Sequence, residues 1–305
     1  MRKISSYLLI TVKGICMGAA DVIPGVSGGT IAFLMGIYEE FVNSIKAIDL
    51  KALKLLFSGK IGEFWKKING NFLGSLVLGI LISVFSLAKL MQYLLVHHPT
   101  PVWSFFFGLV IASAIYILRG IKGWKGTDIL FLFLGVGVGI AICLLSPSNT
   151  PEVWWFVMLS GAIAICAMIL PGISGSFILL LLGKYAYIMD AVSNLKIGTL
   201  VIFGIGVVLG ITSFSHLLSW LLKKFYNATV VFFSGMMIGS LLKVWPWKHM
   251  LESGVDRPLL PFGERGFQAV TGMDPHFWQA VIFVIIGISI VFIIEFLANS
   301  MIKEK

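Results

Sequence analysis

Two short stretches hold the residues best suited to chemistry. The first is Pro24-Gly25-Val26-Ser27-Gly28-Gly29-Thr30, and the second, Pro171-Gly172-Ile173-Ser174-Gly175-Ser176-Phe177, is its near copy. Each interrupts an apolar run, and each is followed by another that ends in Gly-x-Tyr, at Gly36-Ile37-Tyr38 and Gly183-Lys184-Tyr185. Proline lacks an amide proton and clashes with the turn before it, and the small residues behind it are poor helix formers, so the helix breaks there. Behind each break a new helix starts, with free backbone N–H groups, hydroxyls and little side-chain bulk. Those are the parts of an anion cradle. Pro24, Gly25, Ser27, Gly28, Gly29 and Thr30 make the first, and Gly172, Ser174, Gly175 and Ser176 the second. Close helix packing is the plainer use of the same glycines. Two carboxylates stand beside the first cradle: Asp21, three residues before the break, and Glu39, just after Gly-x-Tyr. A carboxylate inside an apolar segment is costly and functional by default, which favours Asp21; Glu39 equally suits a cap at the membrane interface.

The elements that must hold these residues are set by composition. Of the 305 residues 58% are hydrophobic and only 12% charged, and mean hydropathy is +0.98. A soluble domain carries roughly a quarter charged residues, and several runs here reach the about 18 apolar residues that cross a bilayer. The chain reads as an all-α polytopic membrane protein. Its net charge of +9 then reflects cytoplasmic loops, and nucleic acid is excluded as a partner. Cys16, Cys143 and Cys166 lie in apolar segments without paired spacing, so neither a disulfide framework nor a thiolate metal site is expected, and no cofactor is implied. The apolar stretch 5–12 runs through Lys13 straight into the first motif, with no cleavage site of the signal-peptide kind before it.

Taken in order, residues 4–47 read as a broken, re-entrant hairpin, because irregular backbone at membrane depth is tolerated only when buried in protein or lining a cavity. Residues 49–68 have apolar positions at helical spacing and lysines on the other face, the pattern of an interfacial helix lying on anionic lipid. Spans are expected at 72–96, 102–119 and 127–145, a second hairpin at 153–193, and further spans at 199–222, 228–243 and 278–298. A polar loop, 244–277, joins the last two. The His97-His98 pair reads as a polar turn, and Lys89 and His216 as snorkelling residues.

A shift of 147 positions aligns 14–38 with 161–185 at ten identities, among them Pro24, Gly25, Ser27, Gly28, Gly36 and Tyr38. A shift of 127 aligns Gly79 with Gly206 and Gly108 with Gly235. Residues 1–150 and 151–305 are thus expected to be two repeats, each a hairpin plus three spans. Lysine and arginine counts put 16 of the 23 on one side, which places both termini and the first hairpin's mouth in the cytoplasm. Three spans then separate the hairpins, the second enters from outside, and the repeat is inverted, as in many alternating-access transporters.

The motif Gly18-Ala19-Ala20-Asp21-Val22-Ile23-Pro24-Gly25-Val26-Ser27-Gly28-Gly29-Thr30, with Gly36-Ile37-Tyr38-Glu39 and Leu170-Pro171-Gly172-Ile173-Ser174-Gly175-Ser176, closely resembles a prokaryotic family of polyprenyl-phosphate transporters, over essentially the whole chain. The resemblance implies a plasma-membrane flippase that returns undecaprenyl phosphate, the spent lipid carrier of wall synthesis, from the outer to the inner leaflet. One departure is Ala186, which stands where the second repeat would match Glu39. The residues suit such a substrate: the cradles supply hydrogen-bond donors, and Lys184 and Arg119 are the nearest cations, arginine binding phosphate bidentately and lysine as a point charge. Arg119 also fits a positive-inside anchor. Inward movement of a phosphate is opposed by an inside-negative potential, about 2.3 kcal/mol per charge per 100 mV, so protons are the expected coupling ion, with Asp21 as carrier and Glu39 as the next candidate. Two other readings compete. A membrane polyprenyl-diphosphate phosphatase would place an arginine directly after the motif serine, where Gly28 and Gly175 stand here, so an enzyme is not expected. An ion channel with paired re-entrant hairpins is the other. Oligomeric state, including a homo-oligomer, is left open.

Overall fold

The computed structural model describes residues 4–21, 27–147, 150–252 and 255–303. The chain is helical almost throughout. The first hairpin comprises α1 (Ile4–Asp21), α2 (Gly28–Leu34) and α3 (Tyr38–Lys46). The amphipathic stretch forms α4 (Leu50–Phe57) and α5 (Ile61–Lys67), parted at Gly59, whose φ of +74° ends α4 in the left-handed conformation. Then come α6 (Gly70–His97), α7 (Pro99–Arg119) and α8 (Gly126–Leu144). The second hairpin is α9 (Trp154–Ile169), α10 (Gly175–Leu181) and α11 (Tyr185–Ser193). It is followed by α12 (Ile197–Lys224), α13 (Tyr226–Gly239), a 3-10 turn (Ser240–Leu242), a loop carrying β1 (Lys248–Met250), β2 (Asp256–Pro258) and α14 (Phe267–Thr271), and finally α15 (Phe277–Lys303). By length and composition α7, α8 and α12 can each cross a membrane, and α10 and α11 form an apolar pair bent by 114°. This is a multi-pass membrane protein.

The helix ends recur at the offsets read from the residues. α2 and α10 are seven residues each and begin 147 apart, at Gly28 and Gly175. α3 and α11 are nine each and begin at Tyr38 and Tyr185, the same offset. α6 and α12 are 28 each and begin at Gly70 and Ile197, 127 apart. The bends also correspond, with Gly36 at φ +66° and Gly183 at φ +62°. Glycine takes this left-handed region without the Cβ penalty, which is why the Gly of each Gly-x-Tyr can turn the chain.

The packing divides the chain into two compact units. One comprises Met1–Ala88 with Ser148–Tyr226, the other Lys89–Pro147 with Asn227–Lys305, so each draws on both sequence halves. The first unit is held by matching glycine crossings. A Cβ on Gly14 would lie 2.2 Å from the Leu76 carbonyl oxygen and one on Gly79 2.1 Å from that of Thr11, which brings α1 and α6 into backbone contact. At Gly161 and Gly206, α9 and α12 meet the same way, with 2.5 Å to Phe203 O and 1.8 Å to Met158 O. In the second unit α7 crosses α15 at Gly108 and Gly287, and α8 crosses α13 at Gly135 and Gly235. Lipid tails are as apolar as leucine, so helices here associate through close packing, for which small residues are needed.

The loop after α13 is ordered by its tryptophans. Trp245 Nε1 donates to Leu259 O at 2.8 Å and Trp247 Nε1 to Pro275 O at 2.7 Å, while β1 and β2 pair antiparallel with His249 opposite Arg257. Lys243 meets Asp256 at 2.7 Å in a pair that is nearly buried.

Two glycines on α12 separate packing from propensity. Gly206→Ala is expected to destabilise by about 1–3 kcal/mol through overpacking against Met158. Gly204, two residues away, has nothing within 4 Å of an added Cβ, and Gly204→Ala is expected to be neutral or stabilising by about 0.5–1 kcal/mol. Thermal unfolding of the two purified variants checks this; equal midpoints would mean that the crossing is not close-packed.

Candidate functional site

The site is where the two broken segments meet, inside the first unit. An α-helix leaves its last carbonyls without partners, and α9 ends at Ile169 with the Pro171-Gly172 break behind it. Side chains of the first hairpin supply the missing partners. Ser27 Oγ lies 3.2 Å from both Met168 O and Leu170 O, and Tyr38 donates its phenol to Ile169 O at 3.1 Å. Thr30 Oγ1 accepts the Gly172 N–H at 2.9 Å. Gly172 itself has φ +90°. Four neighbouring backbone groups of the second break are thereby tied to three hydroxyls of the first. Ser27, Thr30 and Tyr38 are all buried, as such ties require.

Gly28 and Gly29 are needed for this approach. A Cβ on Gly29 would stand 2.7 Å from Ile169 O, and one on Gly28 2.4 Å from Asp21 Oδ2. The two residues open α2, whose N-cap is Ser27 with an extended backbone and a hydroxyl that accepts from Gly29 N at 3.1 Å. Asp21 Oδ1 takes the Gly28 N–H at 2.7 Å. The first cradle therefore already holds an anion-like group, the protein's own carboxylate. In the second cradle Ser174 and Ser176 hydroxyls bond each other at 2.8 Å, and Gly175 lets α10 lie against the Ala164 carbonyl, 2.7 Å from its would-be Cβ.

The bends are secured by two lysines. Lys13 donates to Met35 O at 2.7 Å, where α2 ends. At the equivalent carbonyl of the second hairpin, Leu182 O, the donor is the Thr150 hydroxyl. Thr150 O in turn receives Lys184 Nζ at 2.7 Å. Lys184 is fully buried, with the Phe156 and Tyr187 rings 5.7 and 5.8 Å from its ammonium. Burial of an ammonium is tolerable only with such partners.

Of the residues expected from sequence, Asp21, Ser27, Gly28, Gly29, Thr30 and Gly172 come together at the crossing, with Ser174, Gly175 and Ser176 directly after it. Lys184 sits at the second bend. Glu39 is exposed in the first turn of α3 and lines a cleft of about 520 Å³ with Phe33, Gly36, Tyr38, Glu40, Asn43, Leu222 and Tyr226. Arg119 is exposed at the end of α7, in the second unit. Pro24 and Gly25 lie outside the described residues. Tyr38, Lys13 and Thr150 carry ties that the reading of candidate residues passed over. For Tyr38 the signal was present, since it closes the Gly-x-Tyr that recurs at Tyr185.

Comparison with known proteins gives three findings. The family described as undecaprenyl phosphate translocase-like matches residues 17–258. A polyprenyl-phosphate transporter of Vibrio cholerae serotype O1 is 44% identical over 303 residues, covering 96% of this chain and 97% of its own. A polyprenyl-phosphate transporter of Staphylococcus aureus is 34% identical over 255 residues, covering 77% of this chain and 84% of its own. No solved structure matches.

Thr30→Val keeps the side-chain shape but leaves the Gly172 N–H without an acceptor, which is expected to cost about 1–3 kcal/mol, whereas Thr30→Ser should behave as the parent. Unfolding midpoints together with amide exchange at Gly172 read both. Fast exchange at Gly172 in Thr30→Val alone is the expected outcome; protection unchanged in Thr30→Val would remove the tie.

Proposed function

Because the chain belongs to the undecaprenyl phosphate translocase-like family, we propose that it carries a polyprenyl phosphate across the membrane, returning it from the outer to the inner leaflet. The family and both relatives bear the names of transporters, so the chain is not an enzyme. That accords with Gly28 and Gly175 standing where hydrolysis would call for a cation after the serine. The observation that supports the mechanism is the crossing of the two broken segments, where hydroxyls of the first repeat meet backbone of the second that lipid cannot solvate.

The phosphate head and the Asp21 carboxylate are alternative acceptors for the same Gly28 amide. Arrival of the phosphate displaces Asp21, and a proton on Asp21 removes its charge at that moment. Ser27 and the Ser174–Ser176 pair then complete the donors, with Lys184 acting as a point charge. One proton per cycle offsets about 2.3 kcal/mol per 100 mV of the opposing potential. Asp21 has Met168 as its counterpart, so coupling resides in one half; Glu39, in the cleft at the first bend, is the alternative proton group.

The two halves are read as an inverted repeat in the plasma membrane, termini cytoplasmic, with the structure as one of two end states. Equivalent faces of α3 and α11 support this: Tyr38, Val42 and Ile45 are 2%, 1% and 4% exposed, while Tyr185, Met189 and Val192 are 41%, 45% and 49% exposed. α3 packs on α12, where Ser219 bridges Asn43 and Lys46. In the opposite state these covers exchange, which is what alternating access between repeats demands.

Leaflet-resolved transport of polyprenyl phosphate in proteoliposomes tests the function. An imposed proton gradient should speed transport by the parent protein and leave Asp21→Asn unresponsive, with headgroup binding kept because the neutral amide resembles the protonated acid. A full pH response in Asp21→Asn would move the proton site elsewhere, and no transport by the parent would end the reading.

Topology is tested separately, on a background lacking the three native cysteines. A cysteine at position 58 should be labelled from the cytoplasmic side and one at position 264 from the other. Labelling from the same side would remove the inversion.

A further inference from the structure

The stretch between the first hairpin and α6 serves no part of the crossing, yet its own geometry is closely fixed. Asp49 caps α4 by accepting the Ala52 N–H at 2.7 Å, and the same carboxylate is bound by Lys67, the last residue of α5. Lys67 and the Ala52 amide hold the Asp49 carboxyl below the usual carboxylate range. This clasp closes α4 and α5 into a helical hairpin whose turn is Ser58-Gly59-Lys60. A second anchor ties it to α6: the Trp65 ring lies over Gly70 and Gly74, and Trp65 Nε1 donates to Asn71 Oδ1 at 2.7 Å. Any Cβ on Gly70 would stand 2.3 Å from that ring.

With the hairpin so fixed, its outward residues fall into two sets. Phe57 is 86% and Ile61 63% exposed, flanking the turn, with Leu56 beside them. Lys51, Lys54, Lys60 and Lys66 are exposed along the two helices. Across 49–67 there are five lysines against Asp49 and Glu63, Asp49 being taken by Lys67 and Glu63 lying 3.3 Å from Lys60 in an exposed pair, so the stretch keeps a net charge of +3 (five minus two). A fixed tip presenting a phenylalanine and an isoleucine to water is unfavourable, and the excess positive charge around it is self-repelling. Both costs vanish against one kind of surface. We propose that the α4–α5 hairpin docks on the anionic phospholipid surface beside α6, Phe57 and Ile61 entering the boundary between headgroups and acyl chains while Lys51, Lys54, Lys60 and Lys66 bind lipid phosphates. Buried apolar area and lysine attraction act together at such interfaces, and lysine stems reach past apolar neighbours to place their charge in the headgroups. The surface is independent of the transported lipid and of the crossing.

The test uses the full chain with Cys16, Cys143 and Cys166 replaced and a nitroxide on Phe57→Cys, in phosphatidylcholine vesicles with or without phosphatidylglycerol. Collisions with lipid-soluble oxygen and with a water-soluble nickel complex report where the label sits. Docking predicts that phosphatidylglycerol shifts the label towards oxygen. Each Lys→Gln change at positions 51, 54, 60 or 66 should reduce the docked-to-undocked ratio about fivefold, the equivalent of about 1 kcal/mol per lysine at an anionic surface. Transport by the quadruple variant, measured in the same vesicles, shows that the protein is folded. A label open to nickel in both lipids, or one indifferent to the lysines, overturns the proposal. So does spin–spin broadening at position 57, which would put a second copy of the chain on this face.

Discussion

A backbone that breaks inside a membrane must find its hydrogen bonds within the protein, and the rest of this chain is arranged around where it finds them. Proline and glycine stop α9 at Ile169, leaving carbonyls that water would satisfy in a soluble protein and that lipid cannot. Ser27, Tyr38 and Thr30 answer for Met168, Ile169, Leu170 and Gly172. The second hairpin is not complete alone. Irregular backbone at such depth leans on another segment, and the product is a spot where several donors and acceptors from two chain segments face one another with almost no side-chain bulk between.

The same geometry divides the glycines into two kinds. Gly14, Gly79, Gly161 and Gly206 let helix backbones touch, so for them close packing is the whole account. Gly28 and Gly29 stand instead against a carboxylate and against the last carbonyls of α9. There the absence of a side chain clears room around polar groups, which a packing role would not require. Composition does not separate these kinds; the groups lying opposite do.

The pairs α2/α10, α3/α11 and α6/α12 share their lengths, and both bends turn at a glycine, but the side chains at the tips differ. Thr30 corresponds to Phe177, Asp21 to Met168 and Ile37 to Lys184. Hydroxyls of the first hairpin serve the second break, and a threonine–lysine relay at the second bend stands in for the direct Lys13 contact at the first. Unequal ties at equivalent bends make the two hairpins energetically inequivalent.

The membrane class, the break at Pro171, the end of one helix before Gly28 and the start of another there, the offsets of 147 and 127 and the helix ends to within a few residues were all legible in the chain itself. They rest on local physics: hydropathy over a span, the missing amide of proline, the left-handed turn of Gly36 and Gly183. The cradle residues were legible for the same reason, as a local run of small residues and hydroxyls. Only the tertiary structure decided which group answers which. Tyr38 reaches a carbonyl 131 positions away and Ser27 one at 143, Lys184 turns to Thr150, and Asp21 folds back onto Gly28. Such pairings leave no periodic trace, because a hydrogen bond between distant segments depends on how the helices cross, and that is settled by close packing of the whole unit.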